Sequence, residues 1–122
     1  MVSTLEYRAV LAIDIVRSAG RGDSALLCIR EVLFTALRKA MERSEIDWAA
    51  CLHHDTGDGI RLIMPSEVRK DQLIHPLGYE LAARLRAHNL KAAPPIQVQA
   101  RLALHAGDIH LGPEGTRGWA SP

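Results

Sequence analysis

The chain has 122 residues, a net charge of +1 and two cysteines, with 48% hydrophobic and 24% charged residues. That length supports one domain with a real core and not two, and the composition is that of a folded globular chain. A net charge so near zero argues against recruitment to nucleic acid or a membrane surface by bulk electrostatics, and no apolar run is long enough to span a bilayer.

The N-terminus "MVSTLEYRAV" has no basic segment leading into an apolar stretch, so no secretion signal is expected. Cys28 and Cys51 lack CxxC spacing and are expected to be reduced, buried thiols in a cytoplasmic protein. Residues 7–16, "YRAVLAIDIV", predict a strand with Leu11, Ile13 and Ile15 on one face and Val10, Ala12, Asp14 and Val16 on the other. "RSAGRG" interrupts it, Asp23 or Ser24 is the expected helix cap, and Leu26, Ile29, Leu33, Leu37 and Met41 recur at helical spacing to about residue 43. "IDWAACLHH" and "GIRLIMP" predict two further strands, the second ended by Pro65. Leu73, Leu77, Leu81 and Leu85 predict one helix over roughly residues 70–89. "IQVQARLALHAG" is the fourth strand, with Val98, Ala100, Leu102 and Leu104 alternating against Gln99, Arg101 and His105. Asp108 and Glu114 are expected in solvated turns.

The order β-α-β-β-α-β is the ferredoxin-like split βαβ arrangement: an α+β fold, with an antiparallel sheet carrying both helices on one face. It makes the first and third strands neighbours. Asp14, at the end of one, is therefore expected beside Asp58, at the start of the other. The helices cover only the Leu11 side, so Val10, Ala12 and Val16 are expected to be bare and to form an association surface.

An ionised Asp14 within "AVLAIDIVR" needs a partner. Arg17 or Arg61 would make it an ordinary ion pair in a domain with no nucleotide role. A metal ion would make it a ligand, and two convergent carboxylates suit Mg²⁺ or Mn²⁺ with a nucleoside triphosphate. The break "VRSAGRG" offers backbone N–H groups, with Arg17 and Arg21 nearby. His53, His54, His105 and His110 with Cys51 show no zinc-ligand spacing.

"VLAIDIVRSAG", "DTGDGIRLIMP" and "RLALHAGDIHLG", in that order and spacing, resemble the catalytic domain of class III nucleotidyl cyclases (adenylate and guanylate cyclases), in their bacterial cyclase-like branch. The resemblance implies two ions, Mg²⁺ or Mn²⁺, on Asp14, Asp58 and the backbone carbonyl of Ile15. It places a phosphate-binding loop on Val16, Arg17 and Ser18. The implied reaction is attack of the ribose 3′-hydroxyl of ATP or GTP on the α-phosphate, giving a 3′,5′-cyclic nucleotide and pyrophosphate. It further implies a homodimer, or a heterodimer with another cyclase-like domain. His54 stands where the family carries a Lys or Glu that reads the base, and Arg17 where it has a small residue. Residues 1–122 then form a single cyclase-like domain lacking the C-terminal part of the family domain. With it go an Asn and an Arg that serve the transition state, so no catalytic residue is assignable and the isolated chain is expected to be inactive. The alternative is a catalytically degenerate cyclase-like module for nucleotide binding, dimerisation or regulation.

Overall fold

A computed structural model describes residues 4–16 and 22–111. Its elements are β1 (Thr4–Ile15), α1 (Asp23–Arg43), β2 (Leu52–Asp55), β3 (Gly59–Ile63), the short turn α2 (Lys70–Gln72), α3 (Tyr79–Lys91) and β4 (Ala100–Leu111). The strands form one antiparallel sheet in the order β2-β3-β1-β4. This is the expected α+β, ferredoxin-like arrangement.

Alternation in β1 sends Leu11, Ile13 and Ile15 into a core shared with Ile29, Leu33 and Leu37 of α1 and Leu81 and Leu85 of α3. Each such side chain contributes about 1.5–3 kcal/mol when fully buried. α1 starts after Gly22, whose φ of 83° suits glycine, and no side chain caps the N-terminus. The expected cap by Asp23 or Ser24 is therefore not made; both lie inside the first turn.

The largest differences in extent fall in three predicted elements. The second strand begins only at Leu52, because Asp47 accepts the Ala49 N–H at 3.0 Å and winds Trp48–Ala50 into a 3₁₀ turn. The predicted helix over residues 70–89 breaks at His75, which is extended at φ −137°, ψ 121°. The residue before a proline disfavours the helical region, and Pro76 has no N–H to donate. The leucine period survives that break, since Leu73, Leu77, Leu81 and Leu85 are all buried. β4 starts at Ala100 and continues to Leu111, pairing with β1 from Ile15 back to Thr4. Asp108, expected in a turn, lies inside this ladder opposite Tyr7. Glu114 lies outside the described residues.

The helix-free face is less bare than expected. Val10 is 3% exposed and clusters with Ile63, Ile109 and Leu52 in a second, smaller core. Ala12 and Val16 are half-buried. Cys51 is buried, but Cys28 is half-exposed, contrary to the expectation of two buried thiols. Among the described residues, no helix is long and apolar enough to cross a membrane.

Candidate functional site

Antiparallel pairing of β1 with β3 places Asp14 opposite Gly59. One residue further, the Ile15 N–H donates to the Asp58 carbonyl oxygen at 2.7 Å. The two acids expected to meet are thus held at one end of the sheet by consecutive backbone pairings. Gly59 permits the approach: a Cβ there would lie 1.8 Å from the Ile13 carbonyl oxygen. The glycines of "GDG" have separate causes. Gly57 occupies the left-handed region at φ 89°, and Gly59 has no room for a side chain.

The turn that presents Asp58 is tied down. Asp55 accepts the Gly57 N–H at 2.8 Å, and the Thr56 N–H reaches the Gly59 carbonyl at 3.1 Å. From α1, Arg30 donates to the Gly57 carbonyl oxygen and to Asp55 Oδ2, the latter at 2.6 Å. Its guanidinium also lies 4.8 Å from the Phe34 ring centre. The Gly57 N–H, and after it Arg30, hold the Asp55 carboxyl below its ordinary range. A depressed carboxyl stabilises the fold above its unfolded pKa, and that contribution disappears as pH falls through the folded value. Because Asp55 is largely exposed, Arg30→Ala is expected to cost only about 1 kcal/mol at neutral pH. The cost should shrink in acid below the carboxylate range. Urea denaturation of both proteins across pH checks this, and a pH-independent difference would contradict it.

Asp14 is half-buried and Asp58 exposed. Among the described residues neither carboxylate has a hydrogen-bond or ion-pair partner. The expected pairing of Asp14 with Arg61 is therefore not formed, and Arg17 lies outside the described residues. Strand alternation puts Asp14 on the helix-free face with Arg101 directly opposite on β4 and Arg61 and His54 one row away. Two carboxylates carried at one end of the sheet, one half-buried and one exposed, are hard oxygen donors. Such a set fits Mg²⁺ or Mn²⁺.

The other predicted site residues divide. Ile15 buries its side chain on the helix face, while its N–H bonds Asp58. The Val16 N–H is already used, donating to the Gln99 carbonyl at 2.7 Å, so this group is not free for a phosphate. Arg17 and Ser18, like Arg21, lie outside the described residues. His54 is exposed on the same face as Asp14. His53 points the opposite way and stacks on Trp48 with ring centres 4.4 Å apart. The two adjacent histidines therefore diverge, and among the described residues no three His, Cys, Asp or Glu side chains gather as a metal site.

Sequence reasoning missed Arg30 and Asp55 as the clamp on the turn, and Arg101 as the cation facing Asp14. Arg30 lies 25 and 27 residues from its partners, so no local spacing reveals it. The alternation in β4 did place Arg101 on the right face, but its neighbour depends on register.

No family model matches this sequence, and no curated protein matches it. Solved structures do share its fold. A bacterial light-regulated adenylyl cyclase superposes with a TM-score of 0.70 at 11% identity, over 90% of this chain and 33% of that one. A second such structure gives 0.69 at 12% identity, over 87% and 56%. The monomeric guanylyl cyclase domain of the RhoGC fusion protein from the aquatic fungus Blastocladiella emersonii gives 0.62 at 14%, over 93% and 67%. The chain thus spans about a third to two thirds of the length of these structures. The fold is cyclase-like.

Proposed function

We propose that this chain is a nucleotidyl cyclase-type domain that binds ATP or GTP with two Mg²⁺ or Mn²⁺ ions at Asp14 and Asp58. One observation carries the reading: Asp14 in register with Gly59, beside the 2.7 Å bond from Ile15 to the Asp58 carbonyl. It sets the backbones of two acids side by side, and neither carboxylate has a hydrogen-bond or ion-pair partner among the described residues. When bound, divalent ions would neutralise the charge of the triphosphate and orient its α-phosphate.

The chain's own groups do the positioning. Strand pairing fixes the Asp14 backbone, and Arg30 fixes the turn that bears Asp58. Arg101 and Arg61 add positive potential on the same face, which favours an anionic ligand. His54, exposed on the same face, is the residue this reading assigns to the base. The reaction in this reading is closure of the ribose 3′-hydroxyl onto the α-phosphate with loss of pyrophosphate. A second cyclase-like domain would dock on the helix-free face and complete the site with cationic donors.

Mn²⁺ with ATP or GTP at about a hundred times Kd is expected to stabilise the chain by roughly 2.7 kcal/mol, read as a rise in melting temperature. Sedimentation of the same samples reads association, and chromatography reads cyclic nucleotide. Binding without product would assign the degenerate binding module. The absence of a shift with either nucleotide would overturn the reading.

A further inference from the structure

The turn between β2 and β3 is closed twice by its own groups. Asp55 accepts the Gly57 N–H at 2.8 Å, and the Thr56 N–H reaches the Gly59 carbonyl at 3.1 Å. Arg30 is therefore not needed to form the turn. What it adds is a tie to α1, through the Gly57 carbonyl oxygen and, at 2.6 Å, Asp55 Oδ2. Without that tie, Asp58 would be fastened to the rest of the fold by the bond from Ile15 to its carbonyl. The guanidinium is itself held, since the Arg30 side chain is only 20% exposed and lies against the Phe34 ring. Two acceptors on one planar fork fix direction as well as distance, which a point charge does not.

The charges matter as much as the bonds. An unpaired arginine on the Gly57 carbonyl, one residue from Asp58, would oppose a divalent cation there. Asp55 cancels that charge, so the pair anchors the turn and leaves the local net charge unchanged. We propose that Arg30 and Asp55 are a positioning pair that sets the divalent-ion affinity of the Asp14 and Asp58 site by holding the Asp58 turn against α1. This rests on the metal-site reading above. In this role both residues act through the backbone of the turn and not as ligands. Outer partners that orient a metal ligand change affinity about 10–100-fold when removed. The physical reason is that a ligand left loose must be ordered at the moment the ion binds.

The deciding variant combines Arg30→Met with Asp55→Asn. It keeps the net charge of the chain, and an asparagine oxygen can still accept the Gly57 N–H, so the link to α1 is what it removes. On the full chain, Mn²⁺ is titrated with and without ATP, and the free ion is followed by electron paramagnetic resonance. The double variant is expected to bind Mn²⁺ about tenfold more weakly than the parent. Arg30→Lys keeps the charge but not the fork; it should lose about threefold, and it keeps the test sound if the double variant misfolds. Ser44→Ala is the control for a general loss of stability. It removes a buried 2.7 Å bond to the Ala40 carbonyl at the other end of α1, and should leave the affinity within about twofold. Unchanged affinity in the double variant and in Arg30→Lys would overturn the positioning role and leave the metal site standing. An equal loss in Ser44→Ala would overturn it too, by assigning the effect to stability. No Mn²⁺ binding by the parent would overturn the metal-site reading itself, and the role of the pair with it.

Discussion

Gly59→Ala is expected to lower stability by about 4 kcal/mol, near the upper limit for a single substitution. The added methyl would sit 1.8 Å from the Ile13 carbonyl oxygen and 2.8 Å from its carbon, both backbone atoms. No rotamer change relieves such a clash, so β1 and β3 must separate. Separation would disrupt the pairing of Asp14 with Gly59 and the bond from Ile15 to Asp58. The variant should therefore lose metal and nucleotide binding together with stability. Gly57→Ala is the internal control. It meets nothing within 4 Å and carries only the strain of φ 89°, about 1–2 kcal/mol. Urea denaturation measures both. A cost below about 1 kcal/mol for Gly59→Ala would show that the strands part easily there, against the packing described.

Asp14→Ala is expected to abolish the roughly 2.7 kcal/mol of stabilisation given by Mn²⁺ and a purine triphosphate. Without ligand, the same variant should be as stable as the parent or more so. The reason is that Asp14 is half-buried and has no hydrogen-bond or ion-pair partner among the described residues. Removing a carboxylate of that kind breaks no hydrogen bond or ion pair and frees a half-buried charge from its environment. A structural ion pair behaves in the opposite way, since breaking a buried one costs about 3–5 kcal/mol. Asp58→Ala, at an exposed position, should also abolish the ligand effect and leave the free protein unchanged. Melting curves of the parent and both variants, with and without ligand, decide between the readings. A full ligand shift in either variant would remove that residue from the site. A large loss of stability in ligand-free Asp14→Ala would assign it to the scaffold.

The resemblance to cyclases rested on three short segments, and the structure shows why those segments are separate in sequence. "AIDIV" and "GDGIRL" are the two halves of one ladder, and "RLALH" is the strand on the other flank of β1. Asp14 gains Gly59 on one side and Arg101 on the other only when both pairings form. The first neighbour followed from the ordering of elements. The second needed the register of a strand that the sequence places over residues 96–107 and that runs over Ala100–Leu111, with Asp108, expected in a turn, paired with Tyr7.

What the sequence by itself determined was periodic. Period two in β1 assigned Leu11, Ile13 and Ile15 to the helix side, and period four assigned Leu73, Leu77, Leu81 and Leu85 to the core. Such patterns are local, since a side chain's face is set by backbone geometry within a few residues. Their order then sufficed to bring Asp14 and Asp58 together. Only the tertiary structure decided the rest: the burial of Val10 under its own small cluster and the clamp of Arg30 on the Asp58 turn. Each of these depends on groups from separate elements meeting at a distance of a few ångströms. That distance is a property of strand register and helix packing, and neither is written in the spacing of residues along one element.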